Sequence, residues 1–175
     1  MANSSSRGDH SAAVATPWST PTDRAFLRQS GARFLTLSVD GDTCAICFLN
    51  DGHRSTYDLT STVEVVNVHT KLLPMTDLTV VSGGSHTTAA LTRLNAAWST
   101  HGLSPHPWTP PVMDLLSVTP WLATDPPHIA QPTGATAALN ALGAPVDPQD
   151  SRDVRDAHLF RALIKQRAQY VMKPW

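Results

Sequence analysis

Residues 33–59 restrict the fold more than any other stretch. Residues 33–39 (RFLTLSV) alternate large apolar with small polar side chains, the period-2 pattern of a half-buried strand. Asp40-Gly41-Asp42 supplies a turn, residues 43–49 (TCAICFL) a second strand, and Asn50-Asp51-Gly52 a hairpin signal before a third strand at 54–59. Short strands joined this tightly pair in antiparallel order, so the chain is committed to a meander that must bury at least one face.

What can cover that face follows in the sequence. Residues 60–73 carry Val63, Val66 and Leu73 at helical spacing behind Ser61 or Thr62, and Pro74 ends the run; a helix is the expectation, with a strand as the alternative that the β-branched content equally suits. A strand is expected at 78–82, a tight turn at Gly83-Gly84-Ser85, and a helix from about 87 to 100 with Ala90, Leu91, Leu94, Ala97 and Trp98 on one side. Residues 104–111 are too proline-rich for regular structure, residues 112–122 are read as a short helix broken by Pro120, and residues 125–132 as a further proline-rich connection. Helices are expected at 135–142 and at 152–171, the last capped by Asp150 or Ser151. The Ser-, Ala-, Thr- and Pro-rich residues 1–24 read as a flexible leader, with one helical turn at 25–29 and a single domain over 25–175. Three antiparallel strands followed by helix, strand and helices give an α/β domain with a mixed sheet and helices on its faces.

Composition narrows the function. At 175 residues, 41% hydrophobic and 15% charged, the chain has material for one core. Two cysteines are too few for a disulfide scaffold, and no apolar run reaches the ~18–20 residues of a membrane span. Residues 1–20 hold no continuous apolar segment of the secretory type, so an intracellular location is expected. The net charge of −1 argues against a strongly basic nucleic-acid binder, but it is unevenly spread: residues 1–151 carry −5 and residues 152–175 carry +4. The basic end could meet phosphate through Arg155, Lys165 and Arg167; its plainer role is to place cations toward a helix C-terminus.

The acids are the chemically informative residues. Asp40 ends the first strand, Glu64, the one glutamate in the chain, opens the second helical stretch, and Asp156 lies early in the last helix. Carboxylates converging from separate elements are what a hard ion such as Mg²⁺ needs, and two such ions can clamp a phosphodiester. Cys44-Ala45-Ile46-Cys47 has zinc or redox spacing, yet residues three apart on a strand face opposite sides, so two core cysteines are expected. Gly83-Gly84-Ser85 could cradle a phosphate on backbone N–H groups but is not followed by Lys-Ser/Thr, which excludes a P-loop. Four of the five tryptophans adjoin prolines (Pro17-Trp18, Pro107-Trp108, Pro120-Trp121, Pro174-Trp175), a pattern suited to packing against a partner in a larger assembly.

These elements and words resemble the ribonuclease H-like fold, most of all type 1 ribonuclease H and its retroelement relatives. That family ends its first strand in Thr-Asp-Gly-Ser, for which this chain has Val39-Asp40-Gly41-Asp42. Its first helix opens on Glu, here Glu64 in Thr62-Val63-Glu64-Val65, and its closing helix carries Asp-Ala, here Asp156-Ala157. The resemblance covers roughly residues 33–171 and implies three antiparallel strands extended by parallel ones, with helices on both faces. It implies Mg²⁺ held by Asp40, Glu64 and Asp156, and cleavage of the RNA strand of RNA–DNA hybrids. Two positions depart from it: the third carboxylate falls at Gly84, and the histidine before the last helix has no counterpart between Gly143 and Arg155. The related 3′–5′ exonucleases match Val112-Met113-Asp114-Leu115-Leu116 but lose acids elsewhere. The expectation is therefore a catalytically degenerate module that binds nucleic acid or serves a protein assembly. The alternative is an active Mg²⁺-dependent nuclease.

Overall fold

The structure, a computed structural model, describes residues 20–72, 78–81, 84–103, 111–117, 119 and 132–171. The meander forms as its alternation requires: β1 (Phe34–Asp40), β2 (Thr43–Phe48) and β3 (His53–Asp58) pair antiparallel, with Leu37 opposite Ile46 and Ile46 opposite Ser55. Gly41, with φ +55°, closes the first hairpin between Asp40 and Thr43, and Gly52, with φ +75°, closes the second. Side chains with a Cβ rarely adopt that backbone.

The helical reading of residues 60–73 holds where the chain is described. α2 (Thr62–Asn67) starts on Ser61, whose hydroxyl accepts the Glu64 N–H, and then widens into a π-helical turn at Val68–Leu72. β4 (Leu78–Val81) lies parallel beside β1, and α3 (Gly84–Thr100) follows. The helix expected at 112–122 is corrected at its start: Val112–Asp114 forms β5, parallel to β4, and helical backbone begins only at 115. Three residues are too few to show a period, and the open edge of β4 captured them. The described strands make one sheet in the order β3-β2-β1-β4-β5. α4 (Ala135–Ala141) and α5 (Arg152–Val171) complete the α/β chain.

Two cores result, one on each face of the sheet. Leu35, Leu37, Cys44 and Ile46 meet Val65 of α2, Val68 of the π-helical turn, and Leu94 and Trp98 of α3. On the other face Cys47, Leu49 and Leu115 meet Leu139, Leu159 and Leu163 of α4 and α5. The cysteine pair divides as strand geometry demands, one residue to each core, and both thiols are free and buried. Burial pushes both thiols well above their ordinary pKa, so neither is a ready nucleophile.

α1 (Pro21–Gln29) starts inside the stretch expected to be leader. Thr20 and Asp23 form a reciprocal capping box, and Pro21 occupies the first helical position, where its missing N–H costs nothing. Asn50 attaches this helix to the sheet: its Nδ2 donates to the carbonyls of Leu27 (3.2 Å) and Ala32 (2.8 Å), and its Oδ1 accepts from the Phe34 N–H (2.8 Å). Replacing this buried side chain strands two carbonyls and one N–H. Asn50→Ala is expected to cost about 2–3 kcal/mol in urea denaturation. A change under ~0.5 kcal/mol would mean that water takes over these bonds.

Candidate functional site

Thr36, Cys47 and Arg54 stand opposite one another on β1, β2 and β3 and form one row on the face covered by α5. The next row on that face is Ser38, Ala45 and Thr56, and the last is Asp40, Thr43 and Asp58. The face therefore changes from apolar to polar toward the C-terminal end of β1. α5 begins over this polar part. Its Asp153 is fully buried and collects the nearby donors. Arg54 Nε lies 2.7 Å from Oδ2, Ser38 Oγ donates to Oδ1 at 2.9 Å, and Cys47 Sγ donates to Oδ2 at 3.2 Å. Thr36 Oγ1 donates to the Asp153 carbonyl at 2.7 Å, which fixes the helix end to the central strand.

The electrostatics follow from these contacts. Burial pushes the Asp153 carboxyl up, but hydrogen bonds from Arg54, Ser151 and Ser38, with the guanidinium charge, outweigh it and hold the group below the usual carboxylate range. Asp153 is thus an ionised carboxylate neutralised from within the fold. Its place in the first helical turn, where N–H dipoles point at it, adds to this.

The three acids singled out in the sequence lie elsewhere. Asp40 ends β1 exposed, in register with Thr36 and Ser38 and so on the α5 face. Glu64 accepts the backbone N–H of Asp58. Asp58 stands across Thr43 from Asp40, two strand spacings or roughly 10 Å away. Asp156 is buried one helical turn past Asp153. Because α5 runs from Ser38 toward Phe34, whose ring lies tilted 5.4 Å from that of Phe160, that turn carries Asp156 away from Asp40. Among the described residues no three His, Cys, Asp or Glu side chains are grouped to hold a metal ion. The described side chains do not compose a two-ion ligand set: Glu64 is bonded to the backbone of β3, Gly84 opens α3 without a side chain, and the buried Asp153 carries a guanidinium.

The basic residues divide as well. Arg155 donates from Nε to the Asp150 carbonyl at 2.8 Å and so closes the turn before α5. Lys165 is exposed, and the Arg167 side chain lies outside the described residues. No helix among the described residues is long and apolar enough to cross a membrane.

Asp153 and Arg54 were missed by reading the sequence. A faint signal existed: Asp153 and Asp156 share a helix face at a spacing of three, and Arg54 continues the alternation of an inward strand position. Their partnership, 99 residues apart, had none. Comparisons with protein families, with curated proteins and with solved structures gave no match.

Proposed function

We propose that this chain is a ribonuclease H-like module that no longer cleaves, and that it acts as a structural or nucleic-acid-binding piece of a larger assembly. The strand order β3-β2-β1-β4-β5, with an antiparallel meander beside parallel strands, supports the ribonuclease H-like arrangement. The observation that carries the loss of cleavage is Arg54. It places a fixed internal cation on the buried carboxylate nearest the end of β1, where a phosphoryl-transfer site would need carboxylates turned toward mobile divalent ions. A binding role needs only the surface. Arg155 is spent on carbonyls and Arg161 on Asp23, which leaves Arg152 and Lys165 as the exposed described cations of α5.

The test is a labelled RNA–DNA hybrid incubated with the chain and Mg²⁺ or Mn²⁺. Cleavage is expected at the background rate, unchanged by Asp40→Asn. Each missing ~1.4 kcal/mol of transition-state stabilisation is tenfold in rate, so a lost ligand removes orders of magnitude. Gly84 is the first residue of α3; cleavage gained by Gly84→Asp would mark descent from an active nuclease. Robust Mg²⁺-dependent cleavage by the unmodified chain, abolished by Asp40→Asn, would overturn the proposal. Hybrid binding whose affinity falls log–log with salt, by a slope that Lys165→Ala flattens by about one unit, favours the nucleic-acid role. Binding indifferent to salt favours the protein assembly.

A further inference from the structure

Ala157, Phe160, Arg161, Ile164 and Lys165 recur along α5 at the spacing of one helix face. That face opens on Ala157 and Phe160 and then sets apolar Ile164 between Arg161 and Lys165. α1 lies alongside but buries only Leu27 fully, leaving Phe26 52% exposed. Between the two helices runs a half-open groove of about 230 Å³. Small Ala157 and buried Leu49 and Phe160 contribute its apolar lining, with Phe26 and Ile164 beside them, and Lys165 is among its charged residues. An apolar cavity of ~150 Å³ already admits a benzene ring, so this one has room for a ring or a medium-length alkyl chain.

The charges lining the groove are unequal. Asp23 is the one acid among the described residues that line it, and Asp23 is already engaged: Oδ2 accepts the Thr20 N–H at 3.0 Å and the Thr20 hydroxyl at 2.7 Å, and lies 2.7 Å from Arg161 Nε. Burial pushes the Asp23 carboxyl up, but the Thr20 bonds and the Arg161 and Lys165 charges bring it below its ordinary value, so it stays ionised and balances one cation. Lys165, one turn beyond Arg161, is left as the exposed surplus charge.

We propose that the groove between α1 and α5 binds an apolar molecule carrying a single carboxylate, a medium-chain fatty acid or an arylalkanoate, its tail against Ala157, Leu49 and Phe160 and its carboxylate on Lys165. One surplus cation selects one negative charge. The apolar lining supplies most of the affinity, and the lysine sets the orientation. This inference does not depend on the reading of the fold as a silent nuclease.

The test uses the full chain and two probes of equal length, decanoate and decanol, titrated calorimetrically below the concentration at which they aggregate. Decanoate is expected to saturate a single site. Lys165→Ala should weaken it roughly five- to tenfold and Lys165→Glu further, while decanol binding stays unchanged in both; added salt should weaken decanoate alone. Residue 165 is on the surface, so these variants keep the fold, which circular dichroism verifies. Thr22→Trp places bulk at the exposed groove wall and should remove both probes. Equal binding of both probes, insensitive to residue 165, would overturn the proposal, as would no saturable binding. A concentration-dependent dimer that Thr22→Trp dissociates, with no decanoate uptake, would assign the groove to a second copy of the chain and also overturn it.

Discussion

Arg54→Ala should lower the stability of this protein by about 3 kcal/mol, far more than a surface arginine normally contributes. The guanidinium Nε is 2.7 Å from Asp153 Oδ2, and the carboxylate is wholly buried while the arginine is about one-third exposed. Deleting the arginine leaves a buried negative charge with the hydroxyls of Ser38 and Ser151 and the Cys47 thiol as its neutral side-chain donors among the described residues. Domains of 150–250 residues lose ~2–4 °C of Tm per kcal/mol, so a fall of roughly 6–12 °C is expected. The pH dependence has a definite sign. In the native chain the folded Asp153 pKa lies below its unfolded value, so its contribution is present above the ordinary carboxylate range and is lost as pH falls through the folded pKa. Without Arg54, burial dominates and raises the folded pKa. The penalty is then largest near neutral pH and shrinks in acid, where the carboxyl takes a proton. Asp153→Asn combined with Arg54→Met should recover much of the loss, because the cost lies in the unpaired charge rather than in the absence of the pair. A change under ~0.5 kcal/mol in Arg54→Ala at pH 7 would show that the pair does no more than a surface salt bridge.

His69→Ala should cost a similar amount, about 2–4 kcal/mol, by a different route. His69 lies in the π-helical turn after α2 and is fully buried. Its Nε2 donates to the Leu94 carbonyl of α3 at 3.0 Å, which requires a proton on that nitrogen, and its ring tilts against Trp98 at 5.0 Å between centroids. The wider π turn carries one more residue per turn than an α-helix, and that extra residue lets an imidazole reach across to α3. Alanine leaves a cavity beside Trp98 and removes the donor between the two helices. Calorimetric unfolding measures the loss, and His69→Gln, which keeps an N–H near the same place, should recover part of it. If His69→Ala unfolds at the native temperature, the π turn is held by Val65 and Val68 alone and the imidazole is passive.

The sequence by itself determined the meander and its turns, because a period of two and the glycines at Gly41 and Gly52 act between neighbours along the chain. It placed the cysteine pair in two different cores by the same local geometry, and it placed the starts of α2 and α5 from the capping candidates Ser61 or Thr62 and Asp150 or Ser151. It could not show β5, whose three residues are a strand only because β4 offers them a parallel edge. Nor could it show which acid of α5 pairs with Arg54. That depends on the direction of the helix across β1, and a shift of three residues exchanges Asp153 for Asp156 with no change in any local pattern. Tertiary structure alone decided that Arg54 and Asp153 pair across 99 residues, that His69 closes onto Leu94 and that α1 stands off α5 to leave a groove. The physical reason is common to all three. A hydrophobic period reports which side of an element is buried, whereas the charge or ring that a buried polar group meets is set by how separate elements cross, and that crossing is fixed only when both cores close.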